Sequence, residues 1–227
     1  MTKKSKSNFH SIISPGEKHH LSNVSQMKNL KITAFIIYFL FALPIGAETD
    51  QNTPEAAVKI LLNEIKQIVE GDSLSEVEKA ANQKHSNIAL GILKVPEISR
   101  KALGKYWSKH SVEEQKIFEG LLADLFVHIA FPSSAKFFVN LDLVYGKPKS
   151  KKDIMVVPLT VVHEKEGEID IDFRMKKVSK SWRVVDVVLD GVSMRNNLRS
   201  QFYKILKKND FKELVRRMQK KLKEAQS

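Results

Sequence analysis

Hydrophobic periodicity changes along this chain from 3.6 to 2, and then changes back. From Thr53 to Phe131 apolar residues recur at helical spacing, from Phe137 to Leu189 they alternate, and beyond Ser193 the helical spacing returns. The pattern predicts an α+β fold in which an antiparallel meander is packed with flanking helices.

Four strands are legible. Phe137, Val139, Leu141, Leu143 and Tyr145 alternate with Phe138, Asn140, Asp142 and Val144. A lysine-rich turn over 147–152 leads to IMVVPLTVV at 154–162. Pro158 has no N–H for a ladder bond, which marks an edge strand or a bulge. Ile169, Ile171, Phe173 and Met175 then alternate with Asp170, Asp172, Arg174 and Lys176, giving one apolar and one solvated face. A tight turn at Ser179–Ser181 joins this strand to Trp182–Leu189.

The helices carry their own punctuation. Thr53 and Pro54 open the first as cap and first-turn proline. It bears Val58, Leu61, Leu62, Ile65, Ile68 and Val69 on one stripe, and Gly71 is the expected end. A weaker helix is expected from Leu74, and a short one from Pro96 to Leu103. Ser111 with Glu114 forms a capping box opening a long helix to about Phe131, where Pro132 is expected to stop it. Ser193 caps a helix with Leu198, Phe202, Ile205 and Leu206. Asp210 with Glu213 caps the last, with Phe211, Leu214, Val215, Met218 and Leu222.

The net charge of +12 divides unevenly over 227 residues. Residues 1–47 carry +5, residues 48–193 carry −1, and residues 194–227 carry +8. From Met27, two lysines precede an uncharged apolar run from Ile32 to Leu43, and Ala47 stands before a polar stretch. This is the layout of a cleaved signal peptide at 27–47, short for an ordinary membrane span, with an uncleaved anchor as the alternative. Residues 1–26 read as an extension without apolar periodicity, and 48–227 as a single exported domain cleaved after Ala47. His19 and His20 lie in that extension and make a weak metal signal.

No nucleotide loop, zincin motif or nucleophile elbow is present. The absence of cysteine excludes a disulfide framework and a thiolate site. Ser193 precedes a helix and reads as its cap, His128 as a core or rim residue, and His163–Glu166 as a hairpin tip. Asp186 lies among valines, where an unpaired carboxylate is costly, so a cap or basic partner is expected. No catalytic residues, metal or cofactor are assigned.

Trp182-Arg183-Val184-Val185-Asp186-Val187-Val188-Leu189-Asp190-Gly191-Val192-Ser193 resembles the W-x-v-y-D-v-x-x-e-G-V-S segment of the MlaC family. Leu198-Arg199-Ser200-Gln201-Phe202 is similar to its y-R-s-q-F helix, and Phe211-Lys212-Glu213-Leu214 to its G-i-d-x-L-i helix, with Asn209 in place of glycine. Upstream, Ala102-Leu103-Gly104-Lys105-Tyr106-Trp107 and Ser111-Val112-Glu113-Glu114-Gln115 resemble a-L-G-x-y-W and s-p-e-q-r. The likeness covers roughly 55–222. It implies a curved sheet and helices around an apolar cavity that holds phospholipid acyl tails as cargo. It also implies a monomeric periplasmic carrier, part of the system behind outer-membrane lipid asymmetry and toluene tolerance. Its partners would be an inner-membrane ABC transporter complex and an outer-membrane lipoprotein complex, with transient contact to membrane surfaces. A hopanoid-like apolar cargo, or a basic module for anionic surfaces without a cavity, are the alternatives.

Periodicity nominates the lining. The long helix offers Phe118, Leu122, Leu125, Phe126 and Ile129. The first two strands offer Val139, Leu141, Leu143, Val157 and Leu159, and the last two Ile171, Phe173, Met175 and Val187. The following helix offers Met194, Leu198 and Phe202. On this basis Phe173→Asp is expected to remove lipid while the protein stays folded. Arg195, Arg199, Lys212, Arg216 and Lys220 form the expected basic docking face. Export argues against nucleic acid as its partner.

Overall fold

The computed structural model describes residues 52–71, 73–163 and 167–226. The expected extension, the signal peptide and its cleavage point, His19 and His20, and Glu164–Glu166 of the hairpin tip lie outside the described residues.

Helix α1 (Pro54–Lys66) begins as expected, with Thr53 Oγ1 accepting from the Ala56 N–H at 3.1 Å. It ends at Lys66, before Gly71. The reason is a competing partner: the Asn82 side chain accepts from the Val69 N–H at 3.0 Å and donates to the Val69 carbonyl at 2.7 Å. Asn82 belongs to α2 (Glu76–Ile92), which opens on a Ser75–Glu78 capping box. Helix α3 (Val95–Leu103) and a 3-10 turn (Gly104–Lys109) follow.

Helix α4 (Val112–Leu125) opens on the Ser111–Glu114 capping box. It does not stop at Pro132. A π-helical turn (Phe126–Ala130) carries it into α5 (Phe131–Phe138), a continuous run of 27 residues. A proline lacks the N–H and crowds the carbonyl four residues back. Here the Phe131 N–H reaches Phe126, five residues back, so the helix is already widened just before the ring. Consequently Phe137 and Phe138 are helical, and the first strand is only β1 (Asp142–Tyr145). Val139 is the exit residue of α5, 51% exposed, followed by Asn140 at φ 60°.

The remaining strands are β2 (Lys149–Lys151), β3 (Ile154–His163), β4 (Gly167–Val178), β5 (Ser181–Leu189) and β6 (Val192–Ser193). The sheet therefore has six strands, not four: part of the lysine-rich turn and the Val192-Ser193 pair add short edges. All strand pairs are antiparallel, ordered β1-β3-β4-β5-β6, with β2 beside β1 on the same edge of β3. Pro158 sits opposite the gap between β1 and β2. Its carbonyl accepts from the Gly146 N–H at 2.9 Å, and its missing N–H would have faced the same gap. Gly146 is needed there, because a Cβ would lie 2.7 Å from Pro158 Cγ.

Helices α6 (Met194–Leu206) and α7 (Phe211–Gln226) complete the chain. Asp210 Oδ1 accepts from the Glu213 N–H at 2.9 Å, the expected cap. Buried residues form two apolar clusters. One joins the inner face of the sheet to α1, α2 and α5. The other joins α3, α4, α6 and α7.

Candidate functional site

Strand register assembles the inner face of the sheet row by row. Val157, Phe173 and Val187 lie side by side across β3, β4 and β5; Leu159, Ile171 and Leu189 form the next row. Leu143, Val161 and Ile169 form a third across β1, β3 and β4. Val157, Val161 and Met175 are fully buried and Phe173 is 3% exposed, so this face is closed by the helices against it. Burying one such side chain contributes about 1.5–3 kcal/mol.

The expected lining residues divide between the two clusters. Val157, Leu159, Ile171, Phe173 and Met175 belong to the sheet cluster, with half-buried Leu141, Leu143 and Val187 packed against it. Phe118, Leu122 and Phe202 belong to the helical cluster, with half-buried Leu125 and Leu198 against it. Phe126, in the π-helical turn, packs against both. Ile129 and Met194 are half-buried and Val139 is exposed; none belongs to either cluster. Sequence reasoning passed over the helical half of the sheet-side layer, namely Val58, Leu61, Leu62 and Ile65 of α1 and Phe131, Ala135 and Phe138 of α5. The α1 stripe was legible, but nothing in it says which face it meets. At the rim, burial and then the Glu55 carboxylate push the Tyr145 phenol above its ordinary value, and Lys59 Nζ lies 5.0 Å from its ring centroid.

The outer face is polar and tightly paired. A bulge between Arg174 and Met175 sets Asp186 opposite Arg174. The buried Asp186 carboxylate accepts from Ser193 Oγ at 2.7 Å, from the Arg195 N–H at 3.1 Å and from Arg174 Nη1 at 3.3 Å. Ser193 Oγ also accepts from the Asn196 N–H at 3.1 Å, so Ser193 is the cap of α6 and is held by Asp186. Asp186 and Ser193 thus tie β5, β6 and α6 together. A second node places the buried Glu97 between Lys176 at 2.8 Å and Lys94 at 3.0 Å. Burial alone would raise the Glu97 carboxyl; the two lysine ammoniums outweigh it and hold the carboxyl below its ordinary range.

The expected basic face is not one surface. Arg195 is engaged by Asp186, and Arg216 by Glu213 at 2.6 Å. Hydrogen bonds from Arg216 and Arg217 pull the Glu213 carboxyl down to about 2. Lys220 lies 3.7 Å from Glu224, and Lys212 is exposed. Arg199 turns the other way and donates from Nε to the Lys101 carbonyl at 2.8 Å. It lines an open groove of about 400 Å³ with Arg100, Lys105, Trp107 and Tyr203. A second open groove, of about 360 Å³, lies at the β2 and β4–β5 ends near Asp153, Lys176 and Trp182. The first is a polar surface feature away from the inner rows; the second takes in Met155, opposite Met175 at the end of the inner face, and Trp182. Among the described residues no group of three His, Asp or Glu side chains is placed to hold a metal.

Comparison with solved structures gives a phospholipid-binding protein from Ralstonia solanacearum, solved in complex with a phospholipid. It is 20% identical, with a TM-score of 0.61, over 78% of this chain and 98% of that one. Likeness at that identity speaks for the fold: helices flanking an antiparallel sheet. Comparison with curated proteins gives no match. The family model of the MlaC protein matches residues 59–220, from α1 to α7 and through every strand of the sheet. With most of its length matched in this way, the chain belongs to the MlaC family.

Proposed function

We propose that this chain is a carrier of phospholipid that takes the acyl tails between the inner face of the sheet and the helices covering it. Membership of the MlaC family supports this, as does a solved relative of the same fold that binds phospholipid. The observation that carries the reading is the rows across β3, β4 and β5, which are apolar from edge to edge and meet apolar side chains of the helices. Such contact is non-directional, so an acyl chain replacing a helix side chain regains most of what is lost. Each methylene taken out of water is worth about 0.8 kcal/mol, so two tails hold a lipid in a membrane by tens of kcal/mol. A carrier must offer a comparably apolar layer and still release. Opening requires the helices over Phe173 and Val157 to move outward, and the π-helical turn at Phe126–Ala130 lies between the two clusters.

In this reading the chain works in the periplasm after removal of its leader and exchanges lipid between an outer-membrane lipoprotein complex and an inner-membrane ABC transporter complex. Binding and release suffice, and no bond in the lipid is made or broken. Native mass spectrometry of the protein purified after expression of the full chain tests the proposal, together with extraction of its lipid. A mass excess matching phospholipid is expected. A protein that carries no lipid, and takes none from phospholipid vesicles, would overturn it.

A further inference from the structure

Positive charge on this molecule is balanced unevenly. On α7, Arg216 and Arg217 share Glu213, and Lys220 has Glu224 nearby. Around the groove between α3, the 3-10 turn and α6, the cations Arg100, Lys101, Lys105, Lys109 and Arg199 have no carboxylate in ion-pair range among the described residues. Like charges so close repel, and the surface keeps them without a counter-charge of its own.

The groove is also held in shape. The Tyr203 hydroxyl accepts from the Lys105 N–H at 3.0 Å, which leaves its own proton to donate. Tyr106 and Tyr203 meet edge to face with centroids 5.0 Å apart, and Lys105 Nζ lies 5.4 and 5.7 Å from the two ring centroids. Gly104, at φ 51°, is where the backbone passes under this hydroxyl; a Cβ there would overlap it. Arg199 is fixed through Nε by the Lys101 carbonyl, so its two terminal nitrogens keep their donors. A planar fork, a lysine and a phenol facing one open groove are the donor set that phosphate oxygens accept from.

We infer that this groove binds a phosphate group, carried by an anionic lipid headgroup in a membrane surface or by soluble phosphate. None of its residues belongs to the lining of the inner sheet face, so the inference goes beyond lipid carriage. A chain that bound phosphate and carried no lipid would leave it intact. A carrier with no phosphate site would refute it alone.

The test uses protein purified after expression of the full chain and three single variants, Arg199→Gln, Lys105→Gln and Lys220→Gln, each checked for folding by its thermal midpoint. The probes are inorganic phosphate, followed by calorimetry, and vesicles of phosphatidylglycerol and phosphatidylcholine beside vesicles of phosphatidylcholine alone, followed by sedimentation. Saturable binding is expected, weakened roughly tenfold by Arg199→Gln and by Lys105→Gln, the loss of a hydrogen bond to a charged group. Less than a twofold change is expected from Lys220→Gln, whose charge Glu224 already offsets. If phosphate displaces protein from the anionic vesicles, the source is the headgroup; if phosphate binds and the vesicles do not, it is the soluble anion. The inference fails if neither probe binds, as an acidic protein partner would predict. It fails equally if Lys220→Gln weakens binding as much as Arg199→Gln, the mark of a diffuse basic surface. Should Arg199→Gln not fold, Lys105→Gln carries the same test.

Discussion

On β4, Ile169, Ile171, Phe173 and Met175 point to one side of the sheet, and Asp170, Asp172, Arg174 and Lys176 to the other. The inner four are buried and join an apolar cluster. On the outer side, Asp170 accepts from Thr160 Oγ1 at 3.0 Å, Arg174 meets Asp186 and Lys176 meets Glu97. The two faces hold helices by different physics. Helices α3 and α6 are anchored to the sheet through charged groups whose geometry is specific, whereas α1 and α5 meet it through apolar area. A carrier working as proposed would open at the second kind of contact and keep the first.

The sharpest way to break that comparison is to put the outer chemistry on the inner face. Phe173→Asp buries a carboxylate without a partner and removes a ring 3% exposed. The loss is expected to be at least about 4 kcal/mol, read as a fall in the urea midpoint. From the sequence this variant is expected to lose lipid while staying folded; a ring inside the closed layer predicts lost stability as well. A folded Phe173→Asp with normal stability would mean the inner face is open to water.

The converse change is Asp186→Asn, which removes the charge facing Arg174 and Arg195 and keeps the shape. About 2–3 kcal/mol of destabilisation is expected. Amide exchange should quicken first in β6 and the start of α6, because the amide keeps one acceptor oxygen where the Ser193 hydroxyl and the Arg195 N–H now use two. Uniform loosening of the whole sheet would show that the node does not anchor α6 locally.

Gly146→Ala tests the strand edge, where the new methyl meets the ring of Pro158. A loss of about 1–2 kcal/mol is expected. Pro158→Ala in the same chain should recover much of it, since the pair is in contact. An additive double variant would remove this close approach as the cause.

The smallest effect is expected at the second outer node. Glu97→Gln should cost about 1 kcal/mol at neutral pH, because both lysines remain partly solvated. The folded carboxyl sits below its unfolded value, so its contribution is complete above the unfolded pKa and is lost as pH falls through the folded one. Lys176 is shifted upward, first by the Glu97 hydrogen bond against a smaller burial effect, so its contribution holds at neutral pH and is lost as pH rises through its folded value. The gap between wild type and Glu97→Gln should therefore be widest near neutrality and close towards acid. A gap independent of pH would show that the charge on Glu97 contributes nothing.

Much of this was legible before any fold was known. The caps at Thr53, Ser111, Ser193 and Asp210 rest on local backbone chemistry. Alternation over 169–176 is a property of the strand itself, and β4 follows it, while β5 breaks it at the bulge opposite Arg174 and Met175. Capping of Ser75 was not foreseen as such, although its Glu78 stands at the usual distance. The misreadings share one cause. Pro132 stops a helix only when the preceding turn has ordinary spacing, and Gly71 ends one only when nothing nearer captures the backbone. Asn82, thirteen positions away from Val69, does so here.

The candidate site was legible as a set of apolar faces and not as an assembly. Phe118 and Phe173 carry similar signals in the chain, yet one sits among α4, α6 and α7 and the other against α1 and α5. Basic residues show the same limit. Spacing placed Arg199 and Arg216 on one expected face; the fold gave Arg216 a carboxylate and turned Arg199 into an uncompensated groove. What the amino-acid sequence determined alone was whatever depends on neighbours within a few residues: periodicity, caps, the division of charge and the motif that marks the family. Tertiary structure decided which apolar faces meet, which charges are cancelled and where positive charge is left over. Those depend on contacts between residues far apart in the chain, and no local spacing encodes them.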